Sequence, residues 1–178
     1  MKFTGERITW NDPASHIGDF KLITELYMQA MVEAVGKRVI DAAAGTGFGT
    51  FLLSLVAEEV FAIERDAEAV AEFDGKLPFK APVRILPIDL EKEPVDITAD
   101  LAVSIETIEH LENPEFFLAN LKAKSLFFSI PCYGDKNEFH KAEYTEEKAK
   151  ALVTKYFPIL TYTMSRRRMI GLAHKPAI

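Results

Sequence analysis

A chain of 178 residues, 48% of them hydrophobic and 13 of them phenylalanine, can bury a sizeable core and does not resemble a disordered segment. Its net charge of -6 makes it a poor default partner for a nucleic-acid backbone, and its single cysteine, Cys132, excludes an internal disulfide framework. No stretch reaches about 18 uninterrupted apolar residues, so a membrane span is not expected. Residues 1–18 read as irregular, broken by Gly5, Asn11-Asp12-Pro13 and Gly18, and hold no apolar core like that of a signal peptide. Asp19 stands where a helix cap belongs. Leu22, Ile23, Leu26, Tyr27, Ala30, Met31 and Ala34 follow at helical spacing, and Gly36 closes the segment. "RVIDAA" is a predicted strand and "GTFLLSLVAEE" a predicted helix facing inward with Phe51, Leu52, Leu55 and Val56. "VFAIE" is the second strand, and Asp66 caps a helix over "AEAVAEFDGK". "VRILPID", ending at Asp89, is the third strand, with Pro87 marking an exposed or terminal part of it. "DLAVSIE" is the fourth strand. Asn113-Pro114 caps a helix over "EFFLANLKAK", "SLFFSIP" is the fifth strand, and Thr145 caps "EEKAKALVTKYF". The rest reads as two strands joined near Arg166–Arg168.

Strands alternating with helices predict an α/β fold, Rossmann-like and doubly wound. Its sheet is expected to have seven mostly parallel strands, an antiparallel C-terminal edge hairpin and helices on both faces. Residues 1–178 read as a single domain, with 1–36 as an N-terminal extension and helix. A soluble, cytoplasmic protein is expected.

Such a sheet binds its ligand beyond the C-terminal ends of the strands. Gly45, Gly47 and Gly49 lie there, and glycine lets a ligand approach the backbone closely. Glu64 ends the second strand, nineteen residues after Gly45. A carboxylate at that tip can accept from both hydroxyls of a ribose. Asp89 stands on the same rim, where it can accept from a base amino group, with Leu90 and Ile63 against the base faces. The bland readings are a ligand-free turn for the glycines, a solvated strand end for Glu64 and a helix cap for Asp89. A nicotinamide dinucleotide would use a similar rim, but its usual spacing is G-x-G-x-x-G and this chain has G-x-G-x-G. A nucleoside-triphosphate loop would want a lysine, which is missing after Gly49.

The chain resembles the class I S-adenosylmethionine-dependent methyltransferases over nearly its full length. "VIDAAAGTGFGT", "FAIERD" and "ILPIDLEK" match the family's first motif, second-strand end and adenine segment. "DLAVSIETIEHLENPEFFLANL" resembles the small-molecule, ubiquinone-biosynthesis-like subgroup, as does the loop from Ile130 to Phe157. The resemblance implies S-adenosyl-L-methionine as cofactor. It places the loop of Ala43, Gly45, Thr46 and Gly47 beside the methionine part, with Asp41 supporting it. Glu64, with Arg65 beside it, would hold the ribose, Asp89 and Leu90 the adenine, and Ile105 and Glu106 the methionine end. The expected activity is methyl transfer to an O, N or C atom of a small-molecule or glycan/lipid-like acceptor. Larger relatives insert substrate-binding segments between late elements, for which this chain offers only the space from Pro131 to Tyr144. The N-terminal 20 residues and this loop are left to cover the substrate, which points to an open pocket, a large substrate or a second subunit, as in a homo-oligomer, completing the site.

A general base is needed only when the acceptor must lose a proton. His110, after "ETIE", and His140, in "NEFHKAEY", are the candidates, each with an ordinary surface or linking role as the alternative. His16 is a weaker candidate and His174 is expected to be uninvolved. Tyr133, Phe139, Trp10 and Tyr27 either line the pocket or anchor their own segments. Glu106 and Glu109 either bind a cationic acceptor or are solvated acids at a helix start. Cys132 has no evident activating base. The histidines and Cys132 show no close ligand spacing, so no metal is expected. Arg166, Arg167 and Arg168 read as a solvated hairpin turn. The rival functions are a non-catalytic binding module that keeps the cofactor fold and a nicotinamide-dependent oxidoreductase.

Overall fold

The computed structural model describes residues 17–73, 77–132, 134 and 139–176. Seven strands form one sheet in the order β3-β2-β1-β4-β5-β7-β6. The chain falls into two compact units, Met1–Asp89 and Leu90–Ile178.

The first unit contains α1 (Ile17–Ala34), β1 (Arg38–Ala42), α2 (Phe48–Ser54), β2 (Glu59–Ile63), α3 (Ala67–Phe73) and β3 (Val83–Leu86). Its strands are parallel, and Ala42, Ile63 and Leu86 lie level in the register. The segments after those three residues therefore leave the sheet along one rim. β1 and β2 are buried over their last four residues, as expected for strands covered on both faces.

Several boundaries and phases differ from the sequence reading. α1 starts at Ile17, so Asp19 lies within the helix instead of capping it. α2 is shorter than predicted and has another phase: Gly49, Thr50, Leu53 and Ser54 are buried, while Leu55 is 42% exposed. The Ser54 hydroxyl donates to the Phe51 carbonyl at 2.7 Å, a back-bond that competes with helix continuation as the helix ends. β3 stops at Leu86, because Pro87 cannot donate to a ladder, and Asp89 lies three residues beyond the strand. The Asp66 cap is present, accepting from Glu68 N at 2.9 Å.

The second unit contains β4 (Ala99–Ile105), a 3-10 turn (Ile108–His110), α4 (Pro114–Asn120), β5 (Ala123–Pro131), α5 (Glu146–Tyr156), β6 (Ile159–Ser165) and β7 (Arg168–His174). β4 and β5 are parallel, and β7 runs antiparallel to both β5 and β6. Arg166 and Arg167, at φ of 48° and 63°, make the left-handed turn of the hairpin. α4 ends before the predicted "LKAK", because Ala123 already pairs with Ala99 as a strand residue. Asn113 caps α4, its side chain accepting from Phe116 N at 3.1 Å, with Pro114 at the first helical position. Asn113→Ala is expected to lower the unfolding free energy by about 1 kcal/mol, read as a lower urea midpoint. Thr145 caps α5 in the same way.

Candidate active site

In the first unit the loop after β1 alternates into the left-handed region at Ala43 (φ 58°), Gly45 (φ 57°) and Gly47 (φ 80°). A side chain costs roughly 1–2 kcal/mol in that region, which explains glycine at two of the three positions. A Cβ on Gly45 would meet nothing within 4 Å, so the backbone there borders open space. One on Gly47 would meet the Phe73 ring at 2.4 Å. Gly49 does not share their role. Its φ is ordinary, and a Cβ there would strike Tyr27, so it is a packing glycine and not part of the ligand-facing backbone.

Two acids hold this loop. Asp41 is fully buried; its Oδ1 accepts from the Tyr27 hydroxyl at 2.9 Å and its Oδ2 from the Thr50 hydroxyl at 2.6 Å. One carboxylate thus ties α1, β1 and α2 together beneath the loop. Burial pushes the Asp41 carboxyl up from 3.8 to about 6, the nearby Glu64 charge adds to that, and the two hydroxyl donors oppose it. Glu64, 5% exposed, bridges the tips of β1 and β2. Its Oε2 accepts from Gly45 N at 2.9 Å and its Oε1 from Asp66 N at 2.9 Å. Thr46 is buried, and Arg65 Nη1 lies 3.2 Å from Asp89 Oδ1.

The second unit has its own polar cluster. Glu106 follows β4 with φ of 48°. Its carboxylate accepts from the Ser129 hydroxyl at 2.7 Å and from Arg168 Nε at 2.8 Å. Leu90 and Ile105 are buried. Sequence reasoning missed Arg168, which is the first residue of β7 and not a solvated turn residue; no local pattern announces a partner 62 positions away. Nor is Glu109 a solvated acid, since it is 1% exposed. Tyr144 is pushed up to about 12 by burial and by the neighbouring Glu109 charge.

His110 and His140, thirty residues apart in sequence, meet edge to face with ring centroids 4.8 Å apart. Glu109, His110 and His140 bring their ligand-capable atoms within 4.8 Å of one another, a grouping that sequence spacing did not announce. His174 lies elsewhere, its Nδ1 2.7 Å from the Ser125 hydroxyl. Cys132 is buried and its thiol pushed up, chiefly by burial, which favours the inert thiol. Tyr27 anchors Asp41. Phe139 is 38% exposed and offers its carbonyl to His110. Trp10, His16 and Tyr133 lie outside the described residues.

The protein-family model of a methyltransferase domain matches residues 40–123. That span holds the glycine loop, Glu64, Asp89, Glu106 and His110. Over that span, a little under half of the chain, the sequence is similar to methyltransferase domains. Two curated proteins of Mycobacterium tuberculosis, both described as probable S-adenosylmethionine-dependent methyltransferases, are 30% identical to it over 87 residues. The match covers 48% of this chain and 31% of theirs, so the chain spans about a third of the length of these relatives. Among solved structures, the Synechocystis magnesium protoporphyrin IX methyltransferase ChlM with S-adenosylhomocysteine superposes at a TM-score of 0.73, with 13% identity, over 98% of this chain and 91% of that one. The DhpI–S-adenosylhomocysteine complex gives a TM-score of 0.72 at 14% identity, over 92% and 89% of the two chains. At such identities the likeness is one of fold.

S-adenosylmethionine is the cofactor named in the descriptions of the two curated relatives. The residues present fit it in two respects. The ionised Glu64 carboxylate is an acceptor-only group held at the edge of the loop by the Gly45 and Asp66 amides, the kind of group that hydroxyl donors seek. Open space beside the Gly45 backbone admits a ligand where a larger side chain would intrude. Among the described residues, no helix is long and apolar enough to cross a membrane.

Proposed function

We propose that this chain binds S-adenosylmethionine on the rim of its first unit and transfers the methyl group to a small-molecule or glycan/lipid-like acceptor. The observation that carries the reading is the 2.9 Å bond joining the glycine loop to Glu64. It brings a bare backbone and a carboxylate together, two features that suit the two ends of an adenosyl amino acid.

When bound, the cofactor supplies an electrophilic methyl group on a sulfonium and leaves as a neutral thioether. Little charge needs stabilising on departure, so the protein contributes mostly by holding donor and acceptor in line. In this reading Glu64 fixes the ribose, and Ala43, Gly45, Thr46 and Gly47 keep the loop backbone close. Asp41 holds that loop from below through Tyr27 and Thr50. Arg65 and Asp89 border the adenine. An acceptor that must lose a proton meets His110 or His140.

Calorimetry of the full chain with S-adenosylhomocysteine tests the cofactor site. Removing hydrogen bonds to a charged group costs about 1.5–3 kcal/mol, so Glu64→Ala is expected to weaken binding roughly tenfold to a hundredfold. Unchanged affinity would remove Glu64 from the ribose. Binding of NAD in place of S-adenosylhomocysteine would overturn the cofactor reading, and binding without turnover of any candidate acceptor would favour a non-catalytic module.

A further inference from the structure

We propose that Glu109, His110 and His140 form a binding site for one divalent first-row transition-metal ion of the zinc or manganese class. The two elements that supply these side chains are fastened to each other. Lys141 N donates to the Glu109 carbonyl at 2.8 Å and Ala142 N to the same oxygen at 3.3 Å. His140 is therefore held against the 3-10 turn by the residues that follow it.

The geometry favours a metal over a simple ion pair. The Phe139 carbonyl stands 3.3 Å from His110 Nδ1. A carbonyl only accepts, so Nδ1 carries the proton in that contact, and in the neutral ring Nε2 keeps its lone pair. Metal-bound histidines are oriented in this way, with the far ring nitrogen donating to a carbonyl or carboxylate. His110 Nε2 lies 3.8 Å from Glu109 Oε1, too far for a direct hydrogen bond. Two atoms each about 2.1 Å from a tetrahedral zinc stand roughly 3.4 Å apart. The Glu109–His110 spacing thus needs a contraction of only about 0.4 Å, and the 4.8 Å limit that encloses all three ligand atoms one of at most about 1.4 Å.

The donor set sets the class of ion. Two imidazoles and one carboxylate suit zinc, manganese or iron, whereas magnesium and calcium prefer oxygen ligands throughout. Glu109 is nearly inaccessible, and burying a carboxylate is costly unless positive charge offsets it, which a dication would do. Three protein ligands leave at least one coordination position open, the arrangement of catalytic rather than structural zinc. An acceptor hydroxyl there would lose its proton more readily, without a histidine acting as base.

The test uses the tag-free 178-residue chain, stripped with a chelator and dialysed, then titrated with Zn2+ by calorimetry and with Co2+ by visible absorption. One equivalent of each is expected, with cobalt giving the d–d bands of a nitrogen-containing site. His110→Ala and His140→Ala are each expected to weaken binding at least tenfold, and His174→Ala to leave it unchanged. His140 is half-buried in a loop, so its loss should leave the fold intact; a preserved melting temperature and S-adenosylhomocysteine affinity in that variant would confirm it. Less than half an equivalent bound, or equal affinity in wild type and His140→Ala, would overturn the site. Because these readouts need neither cofactor nor acceptor, failure here is distinct from failure of the methyl-transfer reading.

Discussion

Gly49→Ala is expected to lower the unfolding free energy by about 3 kcal/mol, the sum of an overpacked core and a disturbed buried hydrogen bond. A Cβ at this position would stand 1.9 Å from Tyr27 Cζ, 2.2 Å from Cε1 and 2.3 Å from the hydroxyl oxygen. The ring is 6% exposed, and its hydroxyl donates to Asp41 at 2.9 Å. Moving the ring aside therefore removes one of the donors that offset a buried carboxylate. Urea unfolding measures the loss. A variant within about 0.5 kcal/mol of wild type would mean that α1 shifts away at little cost, and the packing account would be wrong. Tyr27→Ala placed on the Gly49→Ala background should cost much less than Tyr27→Ala alone, because the clash disappears with the ring. Gly45→Ala is a useful contrast. There the penalty is the left-handed backbone alone, about 1–2 kcal/mol, since nothing stands near the added carbon.

Gly45 and Gly49 also mark how far local sequence carries. Three glycines at alternate positions after an apolar run read as one ligand-facing motif, yet two have a positive φ and the third makes room for an aromatic ring from another helix. Element order, the caps at Asp66, Asn113 and Thr145, and the acid at the tip of β2 were legible, because each depends on neighbours within a few residues. Leu55 is expected on the buried face of a helix running to Glu59, but α2 ends at Ser54 and Leu55 is its C-cap, so the helical phase does not carry that far. Asp89 was placed on a strand that Pro87 ends. The Glu106–Arg168 pair and the grouping of Glu109, His110 and His140 depend on register and loop closure between distant segments. Such information lies in no short window.

Asp41 is expected to give the protein a stability that falls as pH rises from about 4 to about 6, opposite in sign to the usual salt-bridged carboxylate. Its folded pKa is raised from 3.8 to about 6, first by burial, so in that interval the folded chain holds a proton that the unfolded chain has released. The stabilisation is complete below the unfolded value, declines between the two values, and is gone above about pH 6. A two-unit shift corresponds to about 3 kcal/mol. Other groups titrate nearby; Asp96 and Glu115, held low by their lysine hydrogen bonds, act in the opposite sense. The informative quantity is therefore the difference between wild type and Asp41→Asn, in which the side chain cannot ionise. Urea unfolding at pH 4 and pH 7 should show wild type losing about 3 kcal/mol relative to the variant. A difference independent of pH would mean that the Tyr27 and Thr50 hydroxyls fully compensate the buried charge. The wild-type chain would then keep an ionised acid beneath its glycine loop at neutral pH without a stability cost. If the expected slope appears, that charge is retained against its own solvation penalty, and the ionised form is what holds both hydroxyls as donors beneath the backbone that Glu64 grips from the other side.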